Sequence, residues 1–151
     1  MFLSQKCQYA LRAVFEIAKR SGEGPIKIED IAKAQAIPPK FLATILNQLK
    51  QGGFVQSRRG SDGGYFMGRS PSGISVGEII RFIEGPVGPV ECVTDNTSGD
   101  CPLDGTCVFM FMWREAQAAM ENVYFKTSFK DLIDRESQSL NDQQFIPMYF
   151  I

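Results

Sequence analysis

Residues 38–69 have the sequence PPKFLATILNQLKQGGFVQSRRGSDGGYFMGR, which predicts a helix followed directly by a β-hairpin. Pro38 and Pro39 favour a helix start, because the first-turn amides of a helix lack partners within it. Gly52 and Gly53 favour its end, since glycine commonly ends a helix. Five apolar residues recur at helical spacing and predict the buried face: Phe41, Leu42, Ile45, Leu46 and Leu49.

The hairpin that follows carries a cluster of cations. Asp62-Gly63 is a strong signal for a hairpin turn. Arginines precede the turn and aromatic residues follow it. A basic two-stranded hairpin beside a helix is suited to contact phosphates or to enter a minor groove. We therefore predict DNA contacts from Arg58, Arg59 and Ser61.

The outward side of the helix fits the same interpretation. Its residues are small, polar or cationic, and neither Asp nor Glu occurs from 38 to 60. Asn and Gln can pair with adenine edges, whereas Lys and Thr can reach guanine or phosphate. An ordinary solvated face is the alternative. The predicted DNA contacts from this helix are Lys40, Thr44, Asn47 and Gln48.

The flanking segments complete the pattern of a winged helix-turn-helix. Apolar spacing predicts helices at 5–20 and 28–35. Ser75 and Glu78 form a capping box that starts another helix. A long apolar helix follows over about 107–123, and Thr127-Ser128 caps a last one over about 129–136. The fold class is thus mainly α with a small β-hairpin wing. The apolar tail FIPMYFI, 145–151, receives no assignment.

The composition indicates which broad classes of protein the chain can and cannot belong to. The chain has 151 residues, 44% of them hydrophobic, which suffices for one ordinary core. No apolar run reaches the roughly 18 residues of a membrane span, and the N-terminus lacks a signal-peptide layout, so we expect no membrane association and a cytoplasmic location. The chain contains no histidine, which removes the usual general base. We expect no enzyme.

The charge is divided along the chain. Residues 1–90 contain 12 Lys and Arg against 7 Asp and Glu, a net charge of +5. Residues 91–151 contain 4 Lys and Arg against 10 Asp and Glu, a net charge of −6. This division fits a nucleic-acid-binding half joined to a regulatory half, although uneven surface charge would look the same.

Three cysteines share one loop in the pattern C-x8-C-x5-C. The loop is rich in Gly, Asp, Asn and Pro, which let a backbone fold around a metal centre. Thiolates favour iron–sulfur clusters and zinc, and cysteines in a reducing compartment are thiols or ligands rather than structural disulfides. The predicted metal ligands on this loop are Cys92, Cys101 and Cys107.

These motifs together resemble the Rrf-type winged-helix transcriptional regulators. The resemblance covers about residues 1–135 and rests on QYALRAVFEIA, the segment quoted above, the capped helix after it and the cysteines before FMWRE. The loop cysteines make the chain similar to the branch that binds a cluster. The resemblance implies a homodimer formed by the long helix, double-stranded DNA with a palindromic operator, a 2Fe-2S or 4Fe-4S cluster, and repression as the commoner outcome.

The resemblance leaves the fourth cluster ligand open. One branch uses a histidine where this chain has Met110, and another uses an acidic residue of the partner subunit where this chain has Gln8. We hypothesise that Cys7 of the partner subunit completes the site. The alternative for Cys7 is a buried small apolar residue of the core. Other candidates are an exogenous ligand and the side chains of Gln8, Glu91, Asp95, Asp100 and Asp104.

One further departure concerns DNA specificity. The family position that discriminates two operator types carries a glutamate, and here it is Ala43. Without that carboxylate no buried charge penalises the wrong base, so we predict a single operator class.

We divide the chain into a DNA-binding domain (1–85), a linker and cysteine loop (86–107), and a dimerisation helix with the C-terminal region (108–151). The predicted function is a dimeric transcriptional regulator controlled by a cluster that senses redox state, nitric oxide or iron. The rival readings are a zinc-stabilised regulator, a thiol-switch regulator and a regulator that takes a metabolic enzyme as its signal.

Overall fold

A computed structural model describes residues 2–94 and 101–144. Asp95, Asp100 and the apolar tail therefore lie outside the described residues. The chain forms seven helices and one hairpin in the described part, with a 3₁₀ turn at Pro71–Gly73 before the fourth helix. In order, the elements are α1 (Gln5–Lys19), α2 (Ile28–Gln35), α3 (Pro39–Gln51), β1 (Val55–Arg58), β2 (Gly64–Met67), α4 (Val76–Glu84), α5 (Glu91–Thr94), α6 (Met110–Lys126) and α7 (Phe129–Gln144).

Helix α1 lies at the centre of the molecule and packs against α2, α3, α4 and α7. Small residues on α1, such as Ala10 and Ala13, are fully buried and let the neighbouring helices approach closely. Leu42 and Leu46 of α3 fill the opposite side of this core. The position of α3 is therefore set by its packing on α1.

The wing is a two-stranded antiparallel sheet in which Val55 pairs with Met67 and Arg58 with Gly64. The predicted turn is present, because the Gly63 amide donates to the Gly60 carbonyl at 3.1 Å. Ile26 adds a backbone bridge to Tyr65, with both N–H···O distances at 2.8 Å. A Cβ on Gly64 would stand 2.5 Å from the Ile26 carbonyl oxygen, so this close approach requires glycine.

Helix α4 begins at the predicted capping box. The Glu78 amide donates to Ser75 Oγ at 3.2 Å, and the Ser75 amide donates to Glu78 Oε2 at 2.8 Å. Partial burial raises the pKa of Glu78, but the hydrogen bonds from Ser75 and the charge of Arg69 outweigh it, and the net pKa is lowered from the usual 4.5. The cap is thus strongest with an ionised carboxylate.

Helix α7 returns to the winged-helix core. Its first residue, Phe129, is fully buried in the same cluster as α1 and α3. Ser128 and Asp131 cap the helix reciprocally, with Asp131 N donating to Ser128 Oγ at 3.1 Å. The helix continues to Gln144, beyond the predicted end at 136. Within this region, the start of α7 therefore joins the winged-helix core.

Helix α6 packs along one side only. A Cβ on Gly77 of α4 would lie 2.6 Å from the ring of Phe125, so the two helices touch through a glycine. Every residue of α6 retains at least partial exposure. Within the described residues, no helix combines the length and the apolar character that crossing a membrane requires.

Candidate nucleic-acid interface and cysteine loop

The outward face of α3 presents most of the predicted DNA-binding residues. Lys40, Thr44 and Asn47 are exposed, while Gln48 is half-buried at the edge of the same surface. Leu42 and Leu49 on the opposite side are fully buried, so the orientation of the helix is fixed by its core. We call this outward surface the reading face.

The wing places the other predicted residues in solvent. Arg58, Arg59 and Ser61 are all exposed. The Arg58 guanidinium lies 5.9 Å from the centre of the Phe66 ring, which is within the range of a cation–π contact. Lys27 donates to the Ser61 carbonyl at 2.6 Å and so holds the tip of the wing. Lys27 was not predicted as part of this site, because its partner is a backbone carbonyl 34 residues away.

One core prediction is wrong. Phe41 was expected in the buried stripe, but its side chain is 59% exposed. The reason is its position in the first turn of α3, where the Phe41 side chain lines a surface groove with Tyr9 and Lys6 instead of packing under α1. An aromatic ring of the helix thus lies at the margin of the reading face.

A polar clamp, which was not predicted from the sequence, joins α1 to the turn of the helix-turn-helix. Arg12 donates to the backbone carbonyls of Gln35 and Ala36, the latter at 3.2 Å. Gln35 Nε2 donates to Glu16 Oε2 at 2.8 Å, and Glu16 is only 4% exposed. Ala36 has a φ of 50°, a left-handed conformation that costs free energy without glycine. These bonds hold that turn and thereby the start of α3.

The loop cysteines are accessible in the single chain. Cys101 is exposed, and Cys92 and Cys107 are half-buried. Among residues 2–94 and 101–144, no three Cys, Asp or Glu side chains lie close enough together to hold a metal ion. The donors are soft thiols, which fit an iron–sulfur cluster or zinc. Gathering them requires the loop to close.

The segment that leads to Cys92 is tightly held. Val87 is fully buried with Ile80 and Cys7. Gln117 Nε2 of α6 donates to the Val87 carbonyl at 3.0 Å. A Cβ on Gly88 would lie 2.4 Å from a Thr94 methyl, so the chain turns closely into α5. The segment that precedes Cys92 is therefore held against both α1 and α6.

Cys7 is fully buried within its own chain. Burial and the neighbouring Glu84 carboxylate raise the pKa of its thiol to about 11. Glu84 also accepts from the Ser4 amide at 2.9 Å, which ties the end of α4 to the start of α1. Gln8, on the same turn, is exposed. These contacts favour the alternative reading of Cys7 as a small apolar residue of the core, and its role as a ligand stays a prediction.

Comparison with known proteins identifies the family of this chain. A family model described as "Rrf2: Iron-dependent Transcriptional regulator" matches residues 3–135. The HTH-type transcriptional regulator CymR of Bacillus subtilis is 34% identical over 132 residues, 87% of this chain and 89% of CymR. The HTH-type transcriptional regulator IscR of Aliivibrio salmonicida is 30% identical over 147 residues, 97% of this chain and 86% of IscR.

Solved structures agree in fold. The structure of CymR, described as the global cysteine regulator of B. subtilis, has a TM-score of 0.74 at 32% identity and covers 89% of this chain and 98% of its own. The T. potens IscR structure has a TM-score of 0.75 at 27% identity, with coverages of 92% and 90%. The chain therefore belongs to the Rrf2 family and is a transcriptional regulator rather than an enzyme.

Proposed function

We propose that this regulator binds a palindromic operator as a homodimer and represses transcription, and that an iron–sulfur cluster on its loop cysteines controls operator affinity. One observation carries the DNA-binding part: the reading face of α3 lies next to a wing whose two arginines are exposed. Sequence-reading groups and phosphate-binding groups are thus held by one core.

The two surfaces supply different contacts. Asn47 and Thr44 on the reading face can form hydrogen bonds to base edges in a major groove. Arg58 and Arg59 on the wing can pair with phosphates or enter the adjacent minor groove. Lys40 adds a cation at the start of α3. Substitution of a wing arginine should weaken binding to every duplex, whereas substitution of Asn47 should change sequence preference.

The dimer would form through α6. Met112 and Val123 share one face of this helix and are 40% and 60% exposed, and Val108 and Phe109 just before it are 73% and 55% exposed. At 1.5 Å per residue the helix is about 25 Å long, and such a run of exposed apolar side chains is typical of an interaction surface. Pairing of α6 with a second copy would bury these side chains and present two reading faces.

The three loop thiols would hold the cluster. Their chemistry fits, because cysteine thiolates are the usual ligands of iron–sulfur centres. The chain has no histidine, so the fourth ligand is another residue or an external group. Cys7 of the partner subunit stays our hypothesis, and it requires the first turn of α1 to move. Gln8 needs no such movement. When bound, the cluster would supply a centre that oxygen, nitric oxide or iron shortage can alter.

The route from the loop to the reading face follows observed contacts. Cys92 continues from the segment that Val87 anchors on α1 and Gln117 anchors on α6. Helix α1 in turn holds the start of α3 through the clamp of Arg12, Glu16 and Gln35. Closure of the loop would thus change the forces on α1 and the spacing of two reading faces. The cluster can change operator affinity only by as much as the operator-binding free energies of the open-loop and closed-loop proteins differ.

A second candidate is a regulator that uses the same thiols without a cluster. The similarity to CymR, described as a global cysteine regulator, favours it. Exposure of Cys101 also suits a thiol switch, since accessible thiols are oxidised first. In that case Cys101 would form a disulfide with Cys92 or Cys107 on oxidation, or the three thiols would bind zinc.

Purification without oxygen separates these candidates. We expect brown protein with broad visible absorption and matched amounts of iron and sulfide, and a Cys101→Ala variant with much less of both. The Cys7→Ala and Gln8→Ala variants then test these two residues as the fourth ligand, because only loss of a true ligand should change the spectrum. Colourless protein with zinc, or a disulfide after mild oxidation, would refute the cluster and support the second candidate. Neither result would alter the DNA-binding proposal.

A further inference from the structure

An apolar groove lies between the first turns of α1 and α3. Its volume is about 430 Å³, and its lining residues are Gln5, Lys6, Tyr9, Phe41, Thr44 and Ile45. The exposed ring of Phe41 forms one wall, and Tyr9 forms the other. Most of the exposed surface in the groove is apolar, although it opens beside the polar reading face.

The surroundings of this groove suit a polyanion. Lys6 stands on one side and Lys40 precedes Phe41 on the other, and none of the six lining residues is acidic. An apolar pocket between cations cannot satisfy a phosphate. It can accept the apolar group that DNA displays in its major groove, which is the 5-methyl group of thymine.

The helix geometry places Phe41 where such a contact is possible. Phe41 and Gln48 are seven residues apart, close to two helical turns, and therefore share one flank of α3. Thr44 lies both in the groove and on the reading face, so the two surfaces are continuous. An α3 that enters the major groove with Asn47 and Thr44 towards the bases brings Phe41 to the next base step.

We infer that Phe41 is a specificity residue that recognises thymine through its methyl group. This inference rests on the proposed function, because it requires α3 to enter the operator. The methyl group would leave water for the space between Phe41 and Tyr9. No polar group of the base is needed for this contact, so cytosine, which lacks the methyl group, would lose it. Each half-site of a palindrome would contain one such thymine.

The test begins with duplexes enriched from a random library by the wild-type protein. The best duplex is then synthesised with each thymine replaced in turn by deoxyuridine, which removes only the methyl group. Dissociation constants are measured for wild-type protein and for Phe41→Ala. We expect deoxyuridine at one position per half-site to weaken wild-type binding about fourfold, the effect of removing one methyl from an apolar contact. Phe41→Ala should bind more weakly and show no penalty at that position.

A matched control is Leu140→Ala, which removes an apolar side chain that is 56% exposed on α7, away from the reading face. It should retain the wild-type pattern. Far-UV circular dichroism verifies that both variants fold.

Two results would overturn the inference. Wild-type binding could be insensitive to deoxyuridine at every position, or Phe41→Ala could keep the full penalty. If Phe41→Ala keeps the penalty and also weakens the dimer in sedimentation, a second copy of the chain occupies the groove. Each of these leaves the proposed DNA binding intact. Failure to enrich any duplex would overturn the DNA binding and the inference together.

Discussion

Replacement of Phe129 by alanine tests whether α7 belongs to the winged-helix core. Phe129 is the largest fully buried side chain and contacts the cluster built by α1 and α3. Phe→Ala substitutions in cores cost about 3–5 kcal/mol, because the cavity closes only in part. Single domains have unfolding free energies of about 5–15 kcal/mol. The variant should therefore lose about a fifth or more of a typical stability, equivalent to a fall of roughly 6–20 °C in Tm at this chain length.

The assay is urea unfolding followed by far-UV circular dichroism, at equal protein concentrations because the proposed dimer would make stability depend on concentration. Leu140→Ala is the control, since this residue lies on the same helix but is 56% exposed. It should change stability by no more than about 0.5 kcal/mol. Equal midpoints for the two variants would refute the reasoning. So would loss of α7 alone, with the remaining helices unfolding at the wild-type midpoint.

Three shorter predictions concern α4 and the cysteines. Gly77→Ala should destabilise the protein by about 1–3 kcal/mol in urea, because its Cβ meets a ring at 2.6 Å, whereas Gly73→Ala, with open space, should not. The stabilisation from Glu78 should disappear as pH falls through its lowered pKa, below 4.5, and a Glu78→Gln variant should lack that part of the pH dependence. In metal-free native protein Cys101 should alkylate before Cys7, as peptide mass spectrometry would show; equal rates would contradict the burial of Cys7.

Local signals in the sequence were sufficient to predict most of the helices and the wing. The capping box at Ser75 and the glycine-rich wing turn depend on residues close in the chain, and the structure has both. The predicted range 28–35 coincides with α2. Helix α6 begins three residues later than predicted, at Met110, and ends at Lys126. Short-range hydrogen bonds and periodic apolar residues explain this agreement.

Features that depend on distant residues were missed. The apolar periodicity of α3 predicted Phe41 in the core. The first turn of a helix can extend beyond the helix that it packs against, and Phe41 is therefore exposed. Glu16 gave no signal of burial, because its partner Gln35 lies on another helix. The last eight residues of α7 contain only one apolar residue, Leu140, so their sequence does not predict a helix that continues to Gln144.

In the candidate site, the exposed residues were predictable from the sequence, whereas the arrangement of the cysteines was not. The predicted contacts on α3 and the wing are mostly exposed, as the spacing of charged and apolar residues indicated. The arrangement of the three thiols cannot be derived from spacing, because the spacing of the cysteines does not determine how the loop between them folds.

The most direct test of the proposed cluster control is the operator affinity of one anaerobic preparation before and after treatment with a chelator that would remove the proposed cluster. Coupling free energies between sites are typically 1–3 kcal/mol, so we predict a change of about 5- to 150-fold in the dissociation constant. Cys101→Ala should bind with the affinity of the cluster-free protein and should not respond to the chelator. Identical dissociation constants for the loaded and depleted wild-type protein would contradict the claim that the cysteine loop controls DNA binding.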